Sequence, residues 1–176
     1  ATPCIDDHML QESEFTHEGV LTLEADRIVL KALYVARMGR PDLLWAVNSL
    51  ARCVTKWTVA ADKRLHRLIS YMEHTKDWVQ TCWVVDKITD CLLMLFADAS
   101  FAGELTDAKS TTGGYLCLVG PSTFVPISWI CKKQTSVSHS SSEAVVVALD
   151  AVLRMDGSPA LLLLAQRPDP LRGGHG

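Results

Sequence analysis

The sequence predicts an α/β protein in which a basic helical hairpin precedes a three-stranded antiparallel meander and one further helix. Three observations lead to this prediction. Residues 41–71 carry apolar residues at helical spacing, residues 91–132 contain apolar runs joined by short turns, and residues 140–149 open with a helix-capping pattern. With 176 residues, 48% of them apolar, the chain is expected to form one core with extensions.

Charge is distributed unevenly along the chain. Residues 1–26 hold seven acids and no Lys or Arg, so we expect an acidic, loosely ordered arm. Residues 27–76 reverse this balance, with ten basic residues and three acids. Clustered Lys and Arg can neutralise phosphates and release counterions, and a solvated helical face explains the same pattern equally well. The charge alone leaves both interpretations open.

Two helices are expected in this basic segment. In residues 41–54 apolar positions recur every three or four residues, and Pro41 suits a first helical turn. In residues 60–71 the same spacing gathers Lys63, Arg64 and Arg67 on the remaining surface. The expected product is a hairpin with an apolar seam and a basic outer face.

Strands are expected after residue 77, because residues 78–85 and 91–97 are rich in Val, Trp, Leu and Phe. The second of these runs, with residues 112–119 and 123–132, makes up the predicted meander, since the connecting turns are short. The apolar run before Asp98 implies a buried strand with a carboxylate at its rim. Such a carboxylate is either a ligand or catalyst, or a residue that closes a turn.

The last predicted helix begins near Ser140. Ser140 and Glu143 have the spacing of a capping box ahead of an apolar run, so Glu143 has a purely structural explanation available. Asp150 lies two turns further along and about 10 Å from Glu143, too far to share an ion with it. His139 is expected to be an ordinary loop residue.

Cysteine usage and hydropathy bear on the compartment. The six cysteines include no Cys-x-x-Cys pair and no zinc-type cluster, which predicts reduced thiols. No apolar run approaches the ~18 residues of a membrane span, and residues 1–26 have neither a basic start nor an apolar signal core. We therefore expect a cytoplasmic or nuclear protein without a membrane partner.

Six sequence blocks occur in a characteristic order. They include Arg40-Pro41-Asp42, Phe96-Ala97-Asp98-Ala99-Ser100, and Ser141-Ser142-Glu143-Ala144, with the others at residues 63–77, 109–115 and 127–134. Together they resemble the Pol polyprotein of copia-type retrotransposons over residues 33–152. The resemblance implies that residues 27–77 form a helical thumb or connection segment of reverse transcriptase. Residues 78–156 would then be a truncated RNase H-like domain, followed by an atypical Gly/Pro-rich tail at 157–176.

The resemblance implies a fold, a reaction and a metal. RNase H has a mixed five-stranded sheet flanked by helices and cuts the RNA strand of RNA/DNA hybrids with two Mg²⁺ ions held by four acidic groups. Asp98 and Glu143 match the first two of these catalytic ligands, and oxygen ligands suit Mg²⁺. The third and fourth positions are absent, which predicts an incomplete RNase H-like fold with a weak or inactive hydrolase. The alternative is a non-catalytic nucleic-acid-binding or structural remnant.

The expected partner is an RNA/DNA hybrid or another nucleic acid. The residues predicted to contact it are basic positions in the helical segment and one in the loop before the second strand: Arg40, Arg52, Lys63, Arg64, Arg67 and Lys109. With only three strands, one sheet edge would stay open and invite association. Residues 161–164 could cover that gap, and the abrupt change of composition after residue 156 suggests a tail translated out of register.

Overall fold

The computed structural model describes residues 2–101 and 108–165. The chain divides between residues 81 and 82 into two compact units, each with buried apolar residues of its own. This division differs from the single core expected from the sequence. The boundary also lies four residues beyond the predicted one at 77/78.

The first unit is helical. Its helices are α1 (Ala25–Gly39), α2 (Leu44–Ala51) and α3 (Val59–His74), and short 3-10 turns lie at Asp7–Met9, Glu12–Phe15 and Pro41–Leu43. The predicted two-helix hairpin is therefore part of a three-helix arrangement, because α1 precedes it. The helix predicted at 41–54 is shorter than expected, since its first turn is 3-10 and α2 ends at Ala51.

Small and branched apolar residues form the core of this unit. The residues of α1 that are buried lie on one stripe, at Ala25, Val29, Ala32 and Ala36. Alanines in that stripe allow the backbone of α1 to approach α2 closely, and α2 in turn packs against α3. From α3 the buried contribution includes Leu65 and Leu68, as its helical periodicity predicts. The hydroxyl of Thr58 accepts a hydrogen bond from the Ala61 N–H and caps the start of α3.

The second unit contains the predicted meander. Strands β1 (Leu92–Ser100), β2 (Thr111–Val119) and β3 (Phe124–Lys133) form an antiparallel sheet in the order β1-β2-β3. A tight turn joins β2 to β3, where the Gly120 N–H donates to the Thr123 carbonyl at 2.8 Å. The sheet thus confirms the predicted strands at 91–97, 112–119 and 123–132.

The strand predicted at residues 78–85 does not form. Its one ladder contact is the bridge between Trp83 and Phe124, and the hydroxyl of Thr123 accepts from the Val85 and Asp86 N–H groups at 3.1 and 2.9 Å. Val79, Val84 and Val85 are 72–83% exposed. The β-branched composition is genuine, but in the described part of the chain its pairing with β3 is limited to this single bridge.

One face of the sheet is covered by helix α4 (Ser141–Val152) and the other is open. A Cβ on Gly114 would lie 2.7 Å from the Val152 methyl groups, so the Gly114 side of the sheet faces α4. Ala97 is the partner of Gly114 across the β1–β2 ladder and shares this face. Side chains alternate along a strand, so Asp98 lies on the open face.

The chain continues from α4 through a π-helical turn, Leu153–Gly157, into α5 (Ser158–Ala165). Leu161, Leu162 and Leu163 of α5 are 58–71% exposed, so they are not buried against a sheet edge. The rest of the predicted Gly/Pro-rich tail, residues 166–176, lies outside the described residues. Within the described ranges no helix combines the length and apolar composition needed to cross a bilayer.

Candidate nucleic-acid interface

Three cations share one surface of α3, which we call the basic face: Lys63, Arg64 and Arg67. They occupy positions within about one turn of each other, while Leu65 and Leu68 point into the core. The basic face was predicted from the helical spacing of the sequence, and the structure confirms that its members lie together. This is the largest group of predicted binding residues that the structure brings onto one element.

The basic face is covered by residues 2–18, which we call the acidic segment. Glu14 forms an ion pair with Lys63, and Asp7 forms one with Arg64. The Arg67 Nε donates to the carbonyl of Thr2 at 2.9 Å. The arm expected to be loosely ordered is therefore in specific contact with the cations that were expected to bind nucleic acid.

The ring of Phe15 and a lowered pKa of Glu14 accompany these ion pairs. The Arg64 guanidinium lies 5.5 Å from the ring centroid of Phe15, a cation–π distance. The hydrogen bond from Lys63 holds the pKa of Glu14 below its ordinary value. The Glu14 carboxylate that contacts Lys63 is consequently charged at neutral pH.

Asp62 fixes the chain that follows the acidic segment. Its carboxylate accepts hydrogen bonds from the Val20 N–H at 2.5 Å, the Leu21 N–H at 3.2 Å and the Trp57 Nε1 at 2.7 Å. Gly19 lies against the same site, where its N–H donates to the Trp57 carbonyl at 3.2 Å. Sequence reasoning missed Asp62, and only its position in the first turn of a basic helix hinted at a structural role.

Arg40 is used inside the first unit. Its guanidinium makes two hydrogen bonds to Asp42 at 2.8 and 2.9 Å and two more to the hydroxyl and carbonyl of Thr75 at 2.7 and 3.1 Å. It also lies 5.9 Å from the ring centroid of Tyr71. This cluster ties the turn before α2 to the end of α3, and Arg40 is only 16% exposed. The geometry gives Arg40 a structural role, and its predicted nucleic-acid contact stays a prediction.

The same cluster shifts two pKa values. Burial opposes ionisation of Asp42, but the hydrogen bonds and charge of Arg40 outweigh it, and the pKa of Asp42 lies below its ordinary value. Burial, followed by the charge of Asp42, raises the pKa of Tyr71. The Arg40–Asp42 ion pair is thus charged on both sides throughout the neutral pH range.

The two remaining predicted contacts lie apart from the basic face in sequence. Arg52 follows the last residue of α2 and is exposed. Lys109 belongs to the second unit, two residues before β2, and is half-buried. The structure does not assemble either with the cations of α3 on a common element.

Asp98, the first predicted metal ligand, is exposed on the open face of the sheet, opposite Gly113 of β2. Its neighbours at alternate positions along β1 are the exposed residues Met94 and Phe96. The strand was predicted to end at Asp98, whereas β1 continues through Asp98 to Ser100. The strand itself is not fully buried, since every second side chain faces outward.

Glu143, the second predicted ligand, is held at the start of α4. The Ser140 hydroxyl accepts from the Glu143 N–H at 3.1 Å, which confirms the predicted cap. The Glu143 carboxylate accepts from the His139 N–H at 2.7 Å, one residue before the position of a standard capping box. Nearby, the buried amide of Gln134 donates to the Ala144 carbonyl at 2.8 Å and joins α4 to the sheet.

The two predicted magnesium ligands lie on different elements, and the magnesium centre itself stays a prediction. Asp98 lies on the open face, whereas Glu143 belongs to the helix on the covered face and its carboxylate is already hydrogen-bonded. Asp150 is paired with Arg154 at 2.9 Å. In the described part of the chain no group of three or more His, Cys, Asp or Glu side chains is arranged to hold a metal. Two Mg²⁺ ions beside a polyanion would need more carboxylates than this.

Known proteins resemble the chain in sequence. It is 34% identical over 118 residues to the retrovirus-related Pol polyprotein from transposon RE2 of Arabidopsis thaliana, covering 67% of the chain but 8% of that polyprotein. An uncharacterized mitochondrial protein of Arabidopsis thaliana is 30% identical over 123 residues, which is 70% of the chain and 48% of the relative. No protein-family model matches, and no solved structure does.

A third relative is covered over most of its length. Secreted RxLR effector protein 161 of Plasmopara viticola is 30% identical over 122 residues, 66% of the chain and 78% of the effector. The fold and its basic face define a two-unit α/β protein with a helical cationic surface. The chain belongs to the same family as this effector, and its similarity to transposon Pol polyproteins supports a retrotransposon origin.

Proposed function

We propose that the chain is a nucleic-acid-binding protein of retrotransposon origin, with weak or no hydrolytic activity. In the resemblance on which this rests, the first unit corresponds to the end of reverse transcriptase and the second to the start of an RNase H domain. The observation that carries the proposal is the basic face of α3, where three cations share about one turn of a helix. The ligand that the resemblance implies is an RNA/DNA hybrid.

Phosphate contacts explain why such a surface can bind without reading sequence. Each cation that neutralises a phosphate releases a condensed counterion, so affinity falls steeply with salt. Lys63 is 51% exposed even in its ion pair with Glu14. Ion pairs with one solvent-exposed partner are screened by water and salt, so a polyanion can compete with the carboxylates for these cations.

Hydrolysis is expected to be weak or absent for a geometric reason. The two-ion reaction of RNase H needs several carboxylates turned toward one phosphodiester. Asp98 belongs to the open face of the sheet and Glu143 to the helix that covers the other face, which supports this expectation. The chain is therefore expected to bind the hybrid without cutting it when Mg²⁺ is present.

The binding experiment uses a fluorescently labelled RNA/DNA hybrid, titrated with the full chain between about 50 and 200 mM salt. Lys63→Ala/Arg64→Ala/Arg67→Ala should weaken binding roughly tenfold and lower the slope of log Kd against log salt by about three. The matched control is Arg27→Ala/Lys31→Ala/Arg37→Ala, which removes the same charge from exposed positions on α1. Equal losses from both variants would contradict a specific interface on α3.

The hydrolysis experiment incubates the same hybrid with the chain and Mg²⁺. We expect no RNA cleavage by the unmodified chain or by Asp98→Asn. Cleavage that Asp98→Asn abolishes would overturn the non-catalytic assignment and restore the hydrolase predicted from the resemblance. Retained cleavage in both would indicate a contaminating nuclease, and a repeat with further purified protein would then decide.

A further inference from the structure

We propose that the acidic segment competes with nucleic acid for the basic face of α3, so that the chain carries its own inhibitor of binding. The inference rests on the function proposed above and adds regulation to the same surface. Residues 2–18 occupy every member of the basic face: Glu14 on Lys63, Asp7 on Arg64, and the Thr2 carbonyl on Arg67. Phosphates and this segment therefore cannot bind these side chains together.

The contacts imitate those of a phosphate backbone. Each cation of the basic face meets a single oxygen group, two of them carboxylates, at hydrogen-bond distance. Arginine and lysine make the same charge-assisted contacts with phosphate oxygens. Phe15, placed against the Arg64 guanidinium, occupies a position in which a stacked base could be accommodated.

The segment is attached weakly where it covers the basic face. Its two 3-10 turns, Asp7–Met9 and Glu12–Phe15, contain no buried residue. Lys63 is 51% and Asp7 35% exposed, whereas their partners Glu14 and Arg64 are 14% and 21% exposed, so water and salt reach one side of each ion pair. A segment held in this way can be displaced without unfolding the three helices beneath it.

The segment is attached firmly at its other end. The backbone carbonyl of His17 accepts a hydrogen bond from the Val59 N–H at 3.0 Å, and the backbone of Glu18 pairs with Thr58. Together with the Asp62 hydrogen bonds, these contacts fix residues 17–21 at the start of α3. Displacement therefore means that residues 2–16 swing away while the chain stays anchored beside the interface.

The deciding variant is Asp7→Asn/Glu14→Gln, which removes the two charges that contact the basic face and keeps their shape. We expect it to bind the labelled hybrid about fivefold more tightly than the unmodified chain at low salt, with the difference vanishing as salt rises. Circular dichroism confirms that the helices remain. The matched control is Glu12→Gln/Glu18→Gln, whose carboxylates are exposed and form no ion pair within the described part of the chain.

The control separates contact from net charge. Both double variants raise the net charge of the chain by two, so a general electrostatic effect would tighten binding equally in both. Tighter binding by Asp7→Asn/Glu14→Gln alone supports competition at the basic face. Equal tightening, or no tightening by Asp7→Asn/Glu14→Gln, overturns it.

A second measurement follows the segment itself. Hydrogen exchange of the unmodified chain should become faster in residues 7–16 when the hybrid is added, because their turn hydrogen bonds open as the segment leaves. Hydrogen exchange in peptides of α3 should change little or become slower. Unchanged or slower exchange in residues 7–16, with α3 protected, would show that nucleic acid binds over the segment instead of replacing it.

The inference and the proposed function fail in different ways. If the unmodified chain binds the hybrid and the α3 triple variant does not, the interface on α3 is supported independently of the acidic segment. If neither the unmodified chain nor Asp7→Asn/Glu14→Gln binds the hybrid at low salt, the interface itself is wrong. The two acidic-segment variants therefore test only the competition.

Discussion

Gly19 lies in the first unit at a position that has no room for a side chain. A Cβ at this position would lie 2.7 Å from the Asp62 Oδ2 and 2.7 Å from the carbonyl of Thr58, a backbone atom that cannot move aside. Gly19→Ala should therefore destabilise the first unit by about 1–3 kcal/mol, as overpacking does elsewhere. Urea unfolding followed by far-ultraviolet circular dichroism measures the change.

Gly39 provides the control for that substitution. It is the last residue of α1, and a Cβ there would meet no atom within 4 Å. Gly39→Ala should leave stability unchanged or increase it by up to about 1 kcal/mol, since alanine restricts the unfolded chain. If both alanines had the same effect, the close contact at Gly19 would not be the cause.

The Arg40–Asp42 pair makes stability depend on pH in acid. The folded pKa of Asp42 lies below its ordinary value, so the ionised carboxylate stabilises the fold. This contribution is fully present above the unfolded pKa of about 3.9 and is lost as pH falls through the lower folded pKa. Because Asp42 is partly exposed, we expect it to be about 1 kcal/mol at neutral pH.

The measurement compares unmodified chain with Asp42→Asn by urea unfolding at a series of pH values. Asp42→Asn should be less stable at neutral pH, and the difference should shrink as the pH falls below about 4. A difference that stayed constant down to the lowest pH would show that the charge of Asp42 contributes nothing. Arg40→Lys, which loses the two-pronged geometry, should also be less stable at neutral pH.

At the scale of elements, local pattern was enough for the sheet and for the start of α4. The three strands were predicted because each apolar run is bounded by turn residues such as Gly120 and Pro121. The Ser140 cap was predicted because it needs only residues three apart. Contacts of this kind involve residues that are close in sequence, so they can be predicted without knowledge of the fold.

Elements that depend on distant partners were missed. The buried stripe of α1 is mostly alanine, while Leu30, Tyr34 and Met38 are 61–66% exposed, so its apolar period does not mark its core face. Residues 78–85 have strand composition, yet the hydroxyl of Thr123 accepts hydrogen bonds from the N–H groups of Val85 and of Asp86, which follows the segment. In both cases tertiary contacts that the local pattern does not reveal decide which residues are buried or paired.

The docking of α4 onto the sheet can be tested with adjacent glycines. Gly114 faces α4, where a Cβ would meet Val152 and Ile130 at 2.7–2.8 Å, whereas Gly113 faces the open side with its nearest atom 3.8 Å away. Gly114→Ala should destabilise the second unit by about 1–3 kcal/mol, and Gly113→Ala should be neutral or mildly stabilising. Hydrogen exchange of the β2 amides, alongside urea unfolding, reports the change.

The same pair of variants also tests the position of Asp98. Because Asp98 pairs with Gly113 across the ladder, the two residues share a face. If Gly113→Ala were the damaging substitution, α4 would lie on the face of Asp98. The separation of Asp98 from the helix of Glu143 would then be wrong.

At the scale of the whole molecule, the sequence predicted the cations of the interface but not what covers them. Lys63, Arg64 and Arg67 follow from helical spacing. Asp7, the partner of Arg64, is 57 residues away in sequence, and no local pattern in either segment predicts that the two side chains pair. Opposite charge balance in residues 1–26 and 27–76 was the one available signal. It allowed contact between the segments without requiring it.

The open face of the sheet should affect behaviour in solution. Leu92, Met94 and Phe96 are 40–71% exposed on β1, which is an edge strand among the described residues. Exposed apolar edge strands favour association. Leu92→Lys should therefore reduce concentration-dependent self-association measured by light scattering, while Leu92→Ile should not. An unchanged light-scattering profile for Leu92→Lys would indicate that β1 takes no part in association.

The Asp62 anchor has a consequence for how the interface responds to its surroundings. Because residues 19–21 are tied to the start of α3, the acidic segment stays at a high effective concentration near the cations even when it has swung away. Dilution of the protein then leaves the covered fraction unchanged, whereas ionic strength alters it. The occupancy of this surface is thus a property of each single molecule, set by its ionic environment and by the length of polyanion offered to it.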